Sequence, residues 1–174
     1  MTLQDAVTLI KNKNIISGTT GAWADLGCGS GLFTYALAGL LSEESTIYAI
    51  DKQIASFSTN TSCKGATIKL LELDFEKETL PTKNLNGIMM ANSLHFVKHK
   101  KDFLEEMKSC LKEHGYFLIV EYDTEIPNHR VPYPVSFLSL KKIFSDAGFT
   151  SGSKINEKPS AFNRGDLYSA MMKR

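Results

Sequence analysis

The chain has 174 residues, of which 43% are hydrophobic and 22% charged, and its formal net charge is +1. This composition is typical of one globular domain with a substantial core, and the small net charge gives no general attraction to nucleic acid or acidic membranes. We find no apolar run near the ~18 residues of a membrane helix and no signal peptide, so we expect a cytoplasmic protein without membrane or nucleic-acid partners.

The cysteines support the same location. Cys28, Cys63 and Cys110 are odd in number and do not have the spacing of metal ligands. A reducing compartment explains an odd number of cysteines most simply. We therefore predict no structural metal site.

Residues 1–14 are predicted to form an N-terminal helix. Thr2 and Asp5 have the spacing of a capping box, in which each side chain satisfies a free backbone N–H group of the first turn. Apolar residues then recur at helical spacing from Leu3 to Ile10. Such a helix could lie over a ligand-binding mouth or simply cover one face of a sheet.

The next segment predicts a strand that turns directly into a helix. The apolar run at 21–24 ends in Asp25, residues 33–41 carry apolar side chains at helical spacing, and glycines occupy 27, 29 and 31 between them. The first N–H groups of the helix have no partner within it, and glycine lets a ligand approach the backbone closely. The pattern predicts a loop that binds a nucleotide-like cofactor.

Details of the loop narrow the choice of cofactor. A nicotinamide loop needs a third Gly or Ala where Leu32 stands, and a P-loop needs a Lys that does not follow these glycines. The carboxylate of Asp25 is poorly placed for a pyrophosphate and better placed for an ammonium or a sulfonium group. A cationic cofactor fits this loop best.

The segment DLGCGSG at 25–31 resembles motif I of the class I, Rossmann-like S-adenosylmethionine-dependent methyltransferases, close to the type 11/12 members. The resemblance extends through the following strands and covers most of the chain. It implies an α/β fold over residues 1–174, a three-layer αβα sandwich whose seven-stranded sheet is mostly parallel with an antiparallel last strand. It also implies S-adenosyl-L-methionine as the cofactor.

Two further strands supply candidate cofactor ligands. The strand at 46–50 ends in Asp51, about 20 residues beyond the glycines, where an acidic residue can hold a ribose diol. After the strand at 66–73, the resemblance places Asp74 by the adenine amine and Phe75 against the ring. The alternatives are a turn role for Asp51 and a core role for Phe75. The full cofactor-binding set is Asp25, Gly27, Cys28, Gly29, Gly31, Asp51, Lys52, Asp74, Phe75 and Asn92.

The fourth predicted strand, at 85–91, is almost wholly apolar and is followed by NSLHFV at 92–97. This segment corresponds to motif IV of the resemblance, which borders the transferable methyl group. The Asn-Pro-Pro-Tyr and Asp-Pro-Pro-Tyr versions, associated with adenine and glutamine targets, are absent. DNA adenine and glutamine side chains are therefore disfavoured as acceptors.

The remaining elements complete the expected alternation. We predict a helix at 102–113 closed by Gly115, a strand at 116–120, a helix at 136–147 and two strands at 150–158 and 165–172. Lys98, Lys100 and Lys101 are expected to be solvated at the entrance of the first of these helices.

Residues 124–135 are predicted to form a loop on the substrate side of the site. Ligands of open α/β sheets bind beyond the carboxyl ends of the strands, and this proline-rich loop holds His129, Arg130 and Tyr133. The alternative is a rigid connection without contact to substrate.

The chemistry needs few catalytic groups, because a methyl group on a sulfonium chiefly requires placement and exclusion of water. His95 and His129 are candidate general bases, and Tyr122 is a candidate for orienting the acceptor. Candidate substrate contacts are Phe96, Tyr122, Arg130 and Tyr133.

We therefore predict a methyltransferase that acts on a small-molecule acceptor. One alternative is a cofactor-binding module or partner subunit without turnover. Another is a nicotinamide-dependent oxidoreductase. No residue identifies the acceptor atom or the oligomeric state.

Overall fold

The computed structural model describes residues 1–15, 20–58, 65–159 and 165–174. The strands are β1 (Ala22–Leu26), β2 (Thr46–Asp51), β3 (Thr67–Glu72), β4 (Leu85–Ala91), β5 (Leu111–Tyr122), β6 (Ser151–Lys158) and β7 (Leu167–Lys173). The helices are α1 (Leu3–Ile10), α2 (Leu32–Ala38), α3 (Lys100–Cys110) and α4 (Phe137–Asp146). Cys63 and most of the turn expected between the last two strands lie outside the described residues.

All seven strands form one sheet in the order β3-β2-β1-β4-β5-β7-β6. Strands β1 to β5 pair in parallel, and β7 runs antiparallel between β5 and β6. The predicted sheet is confirmed. Its strand order reverses between β1 and β4, and ligands of open α/β sheets bind at such a switch point.

Side chains of the central strands alternate between two hydrophobic cores. Ile88 of β4 and Phe117 of β5 pack on the side of α3 and α4, whereas their neighbours Met89 and Leu118 pack on the side of α1 and α2. Because successive residues of a strand point to opposite faces, the sheet is buried on both sides. The predicted three-layer αβα architecture is confirmed.

Helix α1 begins with the predicted capping box and ends against the last two strands. The Thr2 hydroxyl accepts a hydrogen bond from the Asp5 N–H at 3.1 Å, and the Asp5 carboxylate accepts one from the Thr2 N–H at 3.0 Å. At the other end, the Leu9 carbonyl accepts from the Asn156 amide at 3.1 Å and from the Ser169 hydroxyl at 2.6 Å. The carbonyl groups at a helix end need such partners, and here β6 and β7 supply them.

The boundary between α3 and β5 differs from the expectation. Helix α3 ends at Cys110, and Leu111 already pairs with Leu85 of β4, so the predicted helix at 111–113 is wrong. Leu111 is buried and continues the apolar stripe of the helix, and the same burial suits the first residue of a strand. Gly115 therefore lies inside β5 and does not close a helix.

The other boundaries lie within a few residues of their predicted positions. Among the described residues, no helix has both the length and the apolar character needed to cross a membrane.

Candidate functional site

A cavity of about 450 Å³ lies at the carboxyl ends of the parallel strands. It is bordered by β1 and β4, where the strand order reverses. Its lining residues are Asp25, Gly27, Cys28, Gly29, Ser30, Leu32, Phe33, Asp51, Lys52, Asp74, Phe75, Glu76, Ala91, Asn92, Ser93 and Phe96. The set includes nine of the ten predicted cofactor-binding residues, all except Gly31, together with Phe96 from the predicted substrate set.

Two glycines of the loop have different surroundings. Gly27 has a φ of 79°, and a Cβ there would lie 2.5 Å from the Cβ of Ser93, so a side chain would collide with the turn after β4. Gly29 has a φ of 52°, and a Cβ there would meet no atom within 4 Å. Gly27 thus lets two protein segments meet, while the open face of Gly29 leaves room for a ligand against the backbone.

Asp25 is a buried carboxyl group with one oxygen unused. It is 1% exposed, its Oδ2 accepts a 2.6 Å hydrogen bond from the Thr34 hydroxyl, and its Oδ1 has no partner. Burial raises the pKa of Asp25 from 3.8 to about 7; the Thr34 hydrogen bond opposes this shift and the nearby Asp51 carboxylate adds to it. A cation in the cavity would stabilise the ionised form and give Oδ1 an electrostatic partner.

Asp51, the last residue of β2, is held in place by the glycine loop. Its Oδ2 accepts from the Gly29 N–H at 2.9 Å and its Oδ1 from the Gln53 N–H at 3.1 Å. Each carboxylate oxygen has a second lone pair, so both remain able to accept hydrogen bonds from a ligand. Lys52 follows at the cavity wall with an exposed side chain.

Asp74 and Phe75 form the part of the wall that follows β3. The Lys77 ammonium contacts the Asp74 carboxylate at 2.8 Å and, by donating that hydrogen bond, lowers the pKa of Asp74. Phe75 lines the cavity and also packs on Phe103 of α3, with ring centroids 5.9 Å apart. Phe75 therefore combines the ligand-facing and core positions that the sequence left open.

The turn after β4 supplies the opposite wall. Asn92 has a φ of 55°, unusual for a residue with a side chain, and its N–H donates to the Val120 carbonyl at 2.8 Å. Its Oδ1 is buried without a partner. The Ser93 hydroxyl donates to the Leu26 carbonyl at 2.6 Å, which fixes this turn against the end of β1.

His95 lies behind this wall and does not line the cavity. It is 3% exposed, its Nδ1 is 2.7 Å from Oε2 of Glu121, and its backbone N–H donates to Oε1 of the same carboxylate at 3.1 Å. The predicted base is thus occupied in a buried pair that holds the 3₁₀ turn Leu94–Phe96 to the end of β5.

The loop at 124–135, predicted to lie on the substrate side, is tied to the same turn. The Tyr133 N–H donates to the His95 carbonyl at 3.0 Å, and Lys100 donates to the carbonyls of Val97 and Tyr133 at 2.8 Å each. Lys100 is only 8% exposed, and burial lowers the pKa of its ammonium group. The expectation that Lys100 would be solvated is therefore wrong.

The other predicted substrate and catalytic residues lie away from the main cavity. Tyr122 lines a separate cavity of about 240 Å³ beside residues 124–131. His129 and Arg130 are exposed on the same loop, and Tyr133 is 39% exposed. The structure therefore does not bring Tyr122, His129, Arg130 or Tyr133 to the main cavity.

Sequence reasoning missed the buried partners of the site. Glu121 and Lys100 carry the hydrogen bonds described above, and Thr34 orients Asp25. The position of Glu121 at a strand end was visible in the sequence, but nothing distinguished Lys100 from the exposed Lys98 and Lys101.

A protein-family model described as "Methyltransferase domain" matches residues 24–119. This range contains the glycine loop and every residue that lines the main cavity. No curated protein sequence matches the chain.

Solved structures with the same fold are methyltransferases of several kinds. One is 1,6-didemethyltoxoflavin-N1-methyltransferase from Burkholderia thailandensis with bound 1,6-didemethyltoxoflavin and S-adenosylhomocysteine (TM-score 0.72, 15% identity, 99% of this chain and 77% of that chain). Another is a SAM-dependent methyltransferase from Aquifex aeolicus (TM-score 0.64, 18% identity, 99% of this chain and 98% of that chain). This chain spans 56% of a third, a provisionally assigned O-methyltransferase from Nostoc punctiforme PCC 73102 (TM-score 0.68, 14% identity, 99% of this chain). At these identities the likeness concerns the fold.

Proposed function

The chain belongs to the methyltransferase domain family, and from that premise we propose that it transfers the methyl group of S-adenosylmethionine to a small-molecule acceptor. One observation carries the proposal: Asp25, Asp51 and Asp74, from three neighbouring strand ends, line a single cavity with the open backbone of Gly29. When bound, S-adenosylmethionine supplies an electrophilic methyl group on a sulfonium sulfur.

The residues present fit this cofactor. The unpartnered, buried Oδ1 of Asp25 suits a positively charged ligand, and Gly29 allows the ligand to touch the backbone. With the cofactor bound, Asp51 would accept hydrogen bonds from the ribose hydroxyls, Asp74 would accept from the adenine amine, and Phe75 would cover the adenine ring.

The geometry favours catalysis by positioning of the two reactants over catalysis by a general base. The candidate groups for acid–base chemistry, His95, Tyr122 and His129, do not line the main cavity. The chain's own contribution is to hold the two reactants in line and to exclude water from the cavity.

The proposal extends to organisation and location. Residues 1–174 act as one catalytic domain in the cytoplasm, with residues 124–135 on the substrate side. Cys28 and Cys110 are both buried and free, which agrees with a reducing compartment. The partner is a small molecule, because the site is a concave cavity and the chain's net charge of +1 offers nucleic acid no general attraction.

Asp51→Ala tests the cofactor site. We expect the affinity for S-adenosylmethionine, measured by calorimetry, to fall by about 1.5–3 kcal/mol, the usual value of hydrogen bonds to a charged group. Asp146→Ala is the matched control, because Asp146 is an exposed carboxylate on α4 paired only with Lys142 among the contacts described.

Two results would contradict the proposal at different levels. Unchanged affinity in Asp51→Ala would show that Asp51 does not bind the ribose. No binding of S-adenosylmethionine by the unmodified protein would show that it is not the cofactor. Release of S-adenosylhomocysteine with a pool of small-molecule acceptors separates an enzyme from a binding module without turnover.

A further inference from the structure

The two sides of the main cavity differ in charge. The charged lining residues lie at or just after the carboxyl ends of β1, β2 and β3; they are Asp25, Asp51, Lys52, Asp74 and Glu76. The lining residues from β4 and the turn after it are uncharged; they are Ala91, Asn92, Ser93 and Phe96. Since the charged side is the one that fits a cationic cofactor, the uncharged side is the wall left for the acceptor.

Phe96 gives this wall an exposed aromatic face on a fixed backbone. The side chain is 48% exposed at the cavity, although its neighbours Leu94, His95 and Val97 are all buried. The turn is held on both sides of Phe96, by Glu121 on His95 and by the Lys100 ammonium on the Val97 carbonyl. An aromatic ring kept partly in water by a rigid turn is a ready contact surface for another ring.

Asn92 adds one polar contact to the same wall. Its Oδ1 is buried without a hydrogen-bond partner, and its backbone is held at a φ of 55° by the bond from its N–H to the Val120 carbonyl. Buried amide oxygens normally have a donor, and unusual backbone conformations of this kind cluster at ligand sites. An amide oxygen accepts only from an N–H or O–H group.

We infer that the methyl acceptor is an uncharged aromatic small molecule whose ring packs on Phe96 and whose N–H or O–H group donates to Oδ1 of Asn92. The inference rests on the proposed function and specifies its substrate. A charged ring of either sign would lose hydration against Ala91, Asn92, Ser93 and Phe96, which offer it no counter-ion. An anionic ring would in addition be repelled by Asp51 and Asp74.

The test uses the protein saturated with S-adenosylhomocysteine and ligand-observed saturation-transfer NMR. Phenol and indole are neutral probes with a donor, toluene lacks the donor, and benzoate and benzylammonium carry charge. We expect phenol and indole to bind at least ~fivefold more tightly than toluene, the ratio for one hydrogen bond, and more tightly than both charged probes.

Three variants locate the binding. Phe96→Ala should weaken phenol binding about tenfold, the effect of losing an aromatic contact and its buried area. Asn92→Gly, which keeps the backbone conformation and removes the amide, should abolish the advantage of phenol over toluene. Leu138→Ala is the control, because Leu138 is 79% exposed and does not line the cavity.

The outcomes separate the two proposals. If the unmodified protein does not bind S-adenosylhomocysteine, the proposed function fails. If it binds S-adenosylhomocysteine but charged and neutral rings bind equally, or Phe96→Ala binds phenol normally, the acceptor inference fails and the cofactor assignment stands.

Discussion

The two sides of the cavity use ionisable residues in opposite ways. At the carboxyl ends of β1, β2 and β3, Asp25, Asp51 and Asp74 line the cavity. In the turn after β4 and at the end of β5, the ionisable groups of His95 and Glu121 lie behind the wall, where they bond to each other and Glu121 accepts from a backbone N–H group. A charged residue near a site can therefore either contact the ligand or stabilise the backbone that shapes the site.

The hydrogen bonds show which role each residue has. Glu121 uses both oxygens on His95, and Lys100 bonds two backbone carbonyls, so their bonding is met within the protein. Asp25 keeps one buried oxygen unpaired. An unpaired buried oxygen therefore distinguishes Asp25 from Glu121 and Lys100, and three experiments test this difference.

The largest effect is expected from the titration of Asp25. Burial raises its pKa from 3.8 to about 7, so between these values the folded protein holds a proton that the unfolded chain releases. The stability of the cofactor-free protein should then fall as pH rises through this window, by about 4 kcal/mol in total, and level off above it. Guanidinium unfolding at a series of pH values measures the slope.

Asp25→Asn is the reference for this experiment, because it removes the titrating group and keeps the size of the side chain. The difference between the two proteins isolates Asp25 from the other carboxylates. Equal slopes in both proteins would show that folding does not raise the pKa of Asp25. The contrast between Asp25 and the buried pair would then fail.

The next effect concerns the buried pair. Glu121→Ala leaves the ring and the N–H group of His95 without their acceptor, and we expect a loss of about 3 kcal/mol in the free energy of unfolding. Affinity for S-adenosylhomocysteine should remain unchanged, because Glu121 does not line the cavity. Unfolding curves and calorimetry measure the two quantities.

Glu113→Ala is the matched control, since Glu113 is an exposed carboxylate on the same strand. A variant at Glu121 that kept its stability and lost cofactor affinity would place this carboxylate on the ligand-facing side.

The smallest effect is expected at Lys100. Lys100→Met removes the ammonium group that holds the carbonyls of Val97 and Tyr133, and stability should fall by about 1–2 kcal/mol. Amide exchange in residues 131–135 should become faster, because the Tyr133 N–H bonds to the turn that Lys100 fixes. Hydrogen-exchange mass spectrometry reads this segment directly.

Lys101→Met provides the comparison, because the neighbouring Lys101 is exposed and pairs with Glu105 alone among the contacts described. Equal exchange rates in the Lys100 and Lys101 variants would mean that the loop is held by other contacts.

Local patterns were enough to predict that residues at the ends of the first strands meet at one place. Asp25 and Asp51 end apolar runs, and the glycines between them stand at fixed spacing, so chain order alone brings these residues to one edge of a parallel sheet. The same logic predicted the seven strands and the order of helices and strands along the chain. These predictions depend on periodicity and on strand ends, which short segments encode.

The burial of His95 and Lys100 and the boundary at Leu111 could not be predicted in this way. His95 and Lys100 carry polar side chains, and their burial depends on the approach of residues 121–133. Likewise Leu111 fits a helix and a strand equally well until its pairing with Leu85 decides. Contacts between distant segments have no local signature, and these are the positions where the expectations were incomplete or wrong.

The docking of α1 has a consequence for how the protein is made. The carbonyl of Leu9 is satisfied by Asn156 and Ser169, which the ribosome adds long after the helix has emerged. A helix of eight residues is marginal in water without tertiary contacts. A nascent chain halted before β6 could already pack α1 on α2, but the last carbonyl groups of the helix would still lack these partners. Such an incomplete chain is a target for chaperones and proteases.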